Sequence, residues 1–113
     1  MVIFFKTPKL ETILNDHQRL VAEYGLPQAK VIERRMSQLE AASCLHDLWN
    51  APGRWHELSA NRKGTLSASL RDPYRLIFEP ADDPVPYLED GGLDWKRVTA
   101  VRILAVGEDY HGD

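Results

Sequence analysis

The last seven residues read Gly107-Glu108-Asp109-Tyr110-His111-Gly112-Asp113, and they follow an apolar run of Val98, Ala100, Val101, Ile103, Leu104, Ala105 and Val106. Asp109, Tyr110 and His111 can each hold or move a proton, and they are adjacent where a predicted buried strand ends. Such a placement points to a site for proton-transfer chemistry; the alternative is a tail that merely caps the sheet. The charges are also unevenly spread. Arg54, Arg62, Lys63, Arg71 and Arg75 face only Glu57 and Asp72 in the middle of the chain. Glu79, Asp82, Asp83, Glu89, Asp90 and Asp94 follow with no base among them. The formal net charge of −3 argues against a nucleic-acid partner when taken alone. A phosphate backbone, however, feels local charge, within a Debye length of roughly 8 Å at physiological salt.

The elements that must position these residues can be read from pattern and capping. Val2 to Phe5 is a short β-branched and aromatic run and predicts an opening strand. Thr7 with Pro8 predicts a capped helix to about Asn15, and Asp16 predicts a second helix to Tyr24, broken by Gly25. A main helix starts at Pro27, with Ile32, Met36, Leu39 and Ser43 on one face. Ala51-Pro52-Gly53 ends this helical half. Leu66, Ala68 and Leu70 alternate with Ser67 and Ser69, the period of a half-buried strand. Asp72-Pro73 predicts a turn, Tyr74 to Phe78 the partner strand, 80 to 95 a long loop, and Val98 to Val106 the closing strand. This order predicts an α+β fold, with helices packed on a mostly antiparallel sheet.

Composition narrows the class. The chain has 113 residues, 43% hydrophobic and 27% charged, as expected for one soluble domain spanning 1–113. Met1 to Phe5 is too short to cross a bilayer, and Lys6 and Pro8 follow it at once, unlike a signal peptide. Cys44 is the single cysteine, so no internal disulfide forms, which fits a cytoplasmic location. It lies in a helical run and reads as a packing residue. The four histidines do not fall at metal-ligand spacings and no glycine-rich phosphate loop is present, so neither a metal nor another cofactor is expected.

His56-Glu57-Leu58, Asn61-Arg62-Lys63-Gly64, Pro73-Tyr74-Arg75-Leu76-Ile77-Phe78 and the terminal Asp109-Tyr110-His111, in this order, resemble the RelE/ParE superfamily of type II toxin–antitoxin toxins. They look most like its HigB-type branch, and the helical first half is similar to the family layout. The resemblance implies a RelE-like fold and ribosome-dependent cleavage of messenger RNA. The implied partners are the ribosome with its mRNA and a helix-turn-helix antitoxin, with DNA reached only through the antitoxin and no membrane partner. Metal-independent RNA cleavage needs a proton acceptor, a proton donor and a fixed cation, because the 2′-hydroxyl attacks phosphorus and the 5′-oxygen leaves protonated.

On that reading His111 supplies either proton role, since an imidazole near pKa 6.5 has both forms accessible. Arg75 is a fork for phosphate oxygens, or else a cross-strand partner of Glu108 or Asp109. Tyr110 stacks on a splayed base and Asp109 orients His111 or Tyr110. His56 is either functional or a structural histidine beside Trp55. Arg62, Lys63 and Arg71 bind flanking phosphates, or else belong to solvated turns. His17 and His46 read as surface or core residues. A ParE-like protein that inhibits gyrase by contact is the alternative, and an inactive member retained for antitoxin binding is a third.

Overall fold

The computed structural model describes residues 1–59 and 63–107. It opens on an edge strand, β1 (Val2–Phe5). Thr7 then starts α1 (Pro8–Leu14): its hydroxyl accepts from the Leu10 N–H at 3.1 Å, and Pro8 fills a position whose N–H would have no helical partner. Asp16 begins α2 (His17–Tyr24) in the same way, accepting from the N–H groups of Gln18 and Arg19. Gly25, at φ 82°, ends α2 and leads straight into α3 (Leu26–Ala41), a conformation that costs a residue without Cβ little.

Ile32, Met36 and Leu39 form the buried stripe that their spacing predicts. Ser43 does not join it: α3 stops at Ala41, and Ser43 is exposed. The Asp47 carboxylate accepts from the N–H groups of Ser43 and Cys44 and winds Leu45–Leu48 into a separate 3₁₀ turn. Cys44 therefore caps that turn, outside any α-helix. At the end of α3 the Met1 amino group donates to the carbonyls of Leu39, Glu40 and Ala42, where the helix dipole favours a cation.

The remaining strands are β2 (His56–Glu57), β3 (Leu66–Ser69), β4 (Arg75–Pro80) and β5 (Ala100–Gly107). Their order in the sheet is β1-β5-β4-β3-β2, with β1 parallel to β5 and every other pair antiparallel. The fold is α+β with a mixed, mostly antiparallel sheet. β5 starts two residues later than its apolar run predicts. The Thr99 N–H and hydroxyl and the Ala100 N–H all donate to the Asp82 carboxylate, which closes the sheet edge there. Burial pushes the Asp82 carboxyl upward, but these hydrogen bonds outweigh it and hold it below the usual carboxylate range. Among the described residues no helix is long and apolar enough to cross a membrane.

One face of the sheet packs on the helices. Leu66, Phe78 and Ile103 lie side by side across β3, β4 and β5 and meet Leu20, Ile32 and Leu39 in a single core. Arg35 ties this layer to the sheet edge. Its Nε donates to the Ser69 carbonyl at 2.8 Å, and Gly53 packs against it. Gly53 has φ 125°, its carbonyl accepts from the Ser69 N–H, and a Cβ there would sit 2.9 Å from Arg35 Nε and 2.8 Å from Trp55 Nε1. Gly53→Ala should therefore destabilise the protein by roughly 1–3 kcal/mol through strain and overpacking. Urea unfolding would measure this, and an unchanged midpoint would contradict it.

Candidate functional site on the sheet face opposite the helices

Side chains alternate along a strand, so residues that do not face the helices share the other side of the sheet. On β3 and β4 these are Ser67, Ser69, Arg75, Ile77 and Glu79. The register sets them in rows. Ser69, Arg75 and Gly107 form one row; His56, Ser67, Ile77 and Ala105 form the next. After a bulge on β5, Glu79, Arg102 and Phe4 form a third. In that row Arg102 Nη1 donates to Glu79 Oε2 at 2.9 Å, and its guanidinium lies 5.9 Å from the Phe4 ring centroid. Arg102 is thereby occupied in holding β1, β4 and β5 together.

His56 and Arg75 thus project from one face in neighbouring rows. They also feel each other. Burial lowers the His56 imidazole below its ordinary value of 6.5, and the positive charge of Arg75 lowers it further. At neutral pH His56 is accordingly the uncharged form, able to accept a proton. An NMR titration of the imidazole should show it titrating below 6.5 in the folded protein, and Arg75→Gln should recover part of the shift. The sign for stability follows. The unfolded chain binds this proton more readily, so His56 makes stability fall as pH drops below 6.5, down to its folded pKa. A His56 titrating at or above 6.5 would contradict the arrangement.

Arg71 lies on the β3–β4 turn at the Arg75 end of the sheet, and its side chain is exposed. Its backbone is pinned from both sides: the Arg71 N–H donates to Gln28 Oε1 at 2.8 Å, and Gln28 Nε2 donates back to the Arg71 carbonyl at 3.2 Å. A buried glutamine on α3 therefore sets the turn that leads into Arg75. Lys63 occupies the β2–β3 turn, at the opposite end of β3 from Arg71. The structure therefore sets His56 beside Arg75, and Arg71 at the Arg75 end of the sheet, with Lys63 at the other end of β3 from both arginines. Arg62, Asp109, Tyr110 and His111 lie outside the described residues. β5 nevertheless ends at Gly107 directly opposite Arg75, two residues before Asp109 in the chain.

Three features of this molecule escape a reading of sequence alone. Ser67 is fully buried, although alternation predicts a half-buried strand; it is a short side chain in register between His56 and Ile77, and its hydroxyl has no protein hydrogen-bond partner among the described residues. His17 bonds Glu33 at 2.9 Å through its Nδ1, a pairing between α2 and α3. His46 stacks on Trp49, with ring centroids 5.9 Å apart. Neither histidine lies on the Arg75 face. The acidic 80–95 loop leaves β4 at Pro80, roughly 17 Å of strand from Arg75 at about 3.4 Å per residue. It is folded by a bridge between Tyr87 and Leu93. Its carboxylates therefore stand at the other end of the sheet from the Arg71 and Arg75 cations. Among the described residues no three His, Cys, Asp or Glu side chains converge as metal ligands. No protein-family model matches this chain, and no curated protein matches it.

Proposed function

We propose that the protein is a HigB-like member of the RelE/ParE superfamily, an endoribonuclease toxin that cuts mRNA on the ribosome. The observation that carries this reading is the shared sheet face: a neutral His56 beside the Arg75 cation, opposite the end of the strand that leads to Asp109-Tyr110-His111. The proton transfers and the charge stabilisation are assigned to the chain's own side chains. His56, or His111, takes the proton of the ribose 2′-hydroxyl as its oxygen bonds to the adjacent phosphorus. The Arg75 guanidinium receives the charge that gathers on the phosphate oxygens. The bond to the 5′-oxygen breaks, and that oxygen takes a proton from the other of these two histidines in its protonated form, leaving a 2′,3′-cyclic phosphate and a 5′-hydroxyl. Arg71, at the same end of the sheet, contacts a flanking phosphate. The antitoxin neutralises the protein by occupying this face.

A lowered His56 suits the base role, and it gives the rate a pH signature. Cleavage should rise with pH through the His56 pKa, below 6.5, and fall again at higher pH as the group that protonates the 5′-oxygen loses its proton. Expression of the wild-type chain without an antitoxin should arrest bacterial growth and fragment cellular mRNA. Growth arrest with intact mRNA and inhibited DNA supercoiling would replace this reading with the gyrase-binding one. Normal growth with folded protein would leave the inactive, antitoxin-binding form.

A further inference from the structure

At the end of the sheet far from Arg75, two adjoining cavities of about 460 and about 540 Å³ share Glu57, Gly92 and Leu93 as a common wall. One side is aromatic. Trp49 is 56% exposed and meets the buried Trp95 ring edge-on, with centroids 4.8 Å apart. The other side is acidic, formed by Asp90 and Asp94 of the 80–95 loop. Glu57 joins the two sides, since its Oε2 accepts from Trp95 Nε1 at 3.0 Å. Tyr87 and Leu88 stand 59% and 48% exposed on the loop beside the groove.

From these observations we infer that this groove binds a basic segment of a partner protein, one that presents arginine or lysine side chains between apolar residues. Exposed tryptophan beside carboxylates is the environment a guanidinium or ammonium prefers: the ring attracts the cation and the methylene stem packs on apolar surface. Charge complementarity excludes the other candidates of similar size. No base lies among the residues from Glu79 to Asp94, and two of their acids, Asp90 and Asp94, line the groove with Glu57, so a nucleic acid or an anionic lipid surface is repelled there. Among the described residues the groove carries two lysines, Lys63 and Lys96, against the carboxylates of Glu57, Asp90 and Asp94. Asp94 also pairs with Arg97 at 3.8 Å, but that contact is long and exposed on the arginine side, so it competes weakly. The adjoining cavities give an extended cleft, which fits several residues of peptide better than one small cation. The groove lies at the end of the sheet far from Arg75, and its Glu57, although next to His56 in β2, alternates to the other side of the sheet, so the groove can be filled while the His56 and Arg75 face is engaged.

The test uses the full chain and an acetylated, amidated octapeptide of alternating arginine and leucine, with the citrulline version as its uncharged twin. Calorimetry should give saturable binding of the arginine peptide, with the citrulline peptide at least about ten-fold weaker. Trp49→Ala, and the double variant Asp90→Asn with Asp94→Asn, should each weaken the arginine peptide by roughly ten-fold with unchanged thermal unfolding. Trp49 and Asp90 are exposed, and if the double variant unfolds, Asp90→Asn alone carries the charge test. An oligouridine RNA should not compete. The inference is overturned by absent binding at millimolar peptide, by equal binding of the citrulline twin, by folded variants that bind as wild type does, or by RNA competition. None of these outcomes depends on whether the opposite face cleaves RNA.

Discussion

Arg75→Ala should abolish growth arrest and lower the rate of mRNA cleavage by about 10² to 10³, the usual loss when one group that stabilises transition-state charge is removed. Its size follows from position. Arg75 is half-buried at the start of β4, held between Ser69 and Gly107, so its guanidinium is carried by a rigid strand and aligned before the phosphate arrives. Lysine restores the charge without the planar fork, so Arg75→Lys should recover only part of the rate. The site residue is not a core residue, and thermal unfolding of both variants should stay close to wild type. If cleavage fell only in proportion to folded protein, Arg75 would be a structural residue.

The largest effect on stability should come from Phe78→Ala, which should cost about 3–5 kcal/mol. Phe78 is fully buried, lies in register between Leu66 and Ile103, and meets Trp55 edge-to-face at a centroid distance of 5.8 Å. Its removal opens a cavity at the centre of the sheet, three positions along β4 from Arg75. Denaturant unfolding should show a lower midpoint with a similar slope. Activity should then fall in step with the folded fraction, the reverse of the Arg75 pattern. A loss under about 1 kcal/mol would mean that helices and sheet close the gap by moving together.

What could be read from sequence was local. Thr7-Pro8, Asp16 and Gly25 act within a few residues, and each begins or ends a helix where its chemistry predicts. Strand patterns located β3 and β4 because alternation and a turn lie between them. The misreadings share a cause: competition from residues that adjacency does not reveal. Asp47 claims the N–H groups of Ser43 and Cys44 and so ends the apolar stripe at Leu39. Asp82 claims Thr99 and Ala100 and delays β5. β2, at two residues, is too short to have a period at all.

The site was legible as residue types but not as an arrangement. Arg75 and His56 could each be named from sequence, yet their common face depends on the register of β2 on β3 and of β3 on β4. Arg71 and Lys63 look equivalent as basic turn residues, and only topology sets them at opposite ends of a strand. The acidic loop was visible as composition. Its place beside Trp49 and Trp95 follows from hydrogen bonds made far along the chain, such as that from Trp95 to Glu57.

The most direct test of the account is primer-extension mapping of a defined mRNA after incubation with purified wild-type protein, with and without programmed ribosomes. The expected result is discrete cuts only when ribosomes are present, leaving a 2′,3′-cyclic phosphate. These cuts should disappear with Arg75→Ala and fall by about 10² to 10⁴ with His111→Gln, which keeps hydrogen-bonding capacity but cannot shuttle a proton. Folded wild-type protein that leaves ribosome-bound mRNA intact, or cuts made equally well by Arg75→Ala, would contradict it.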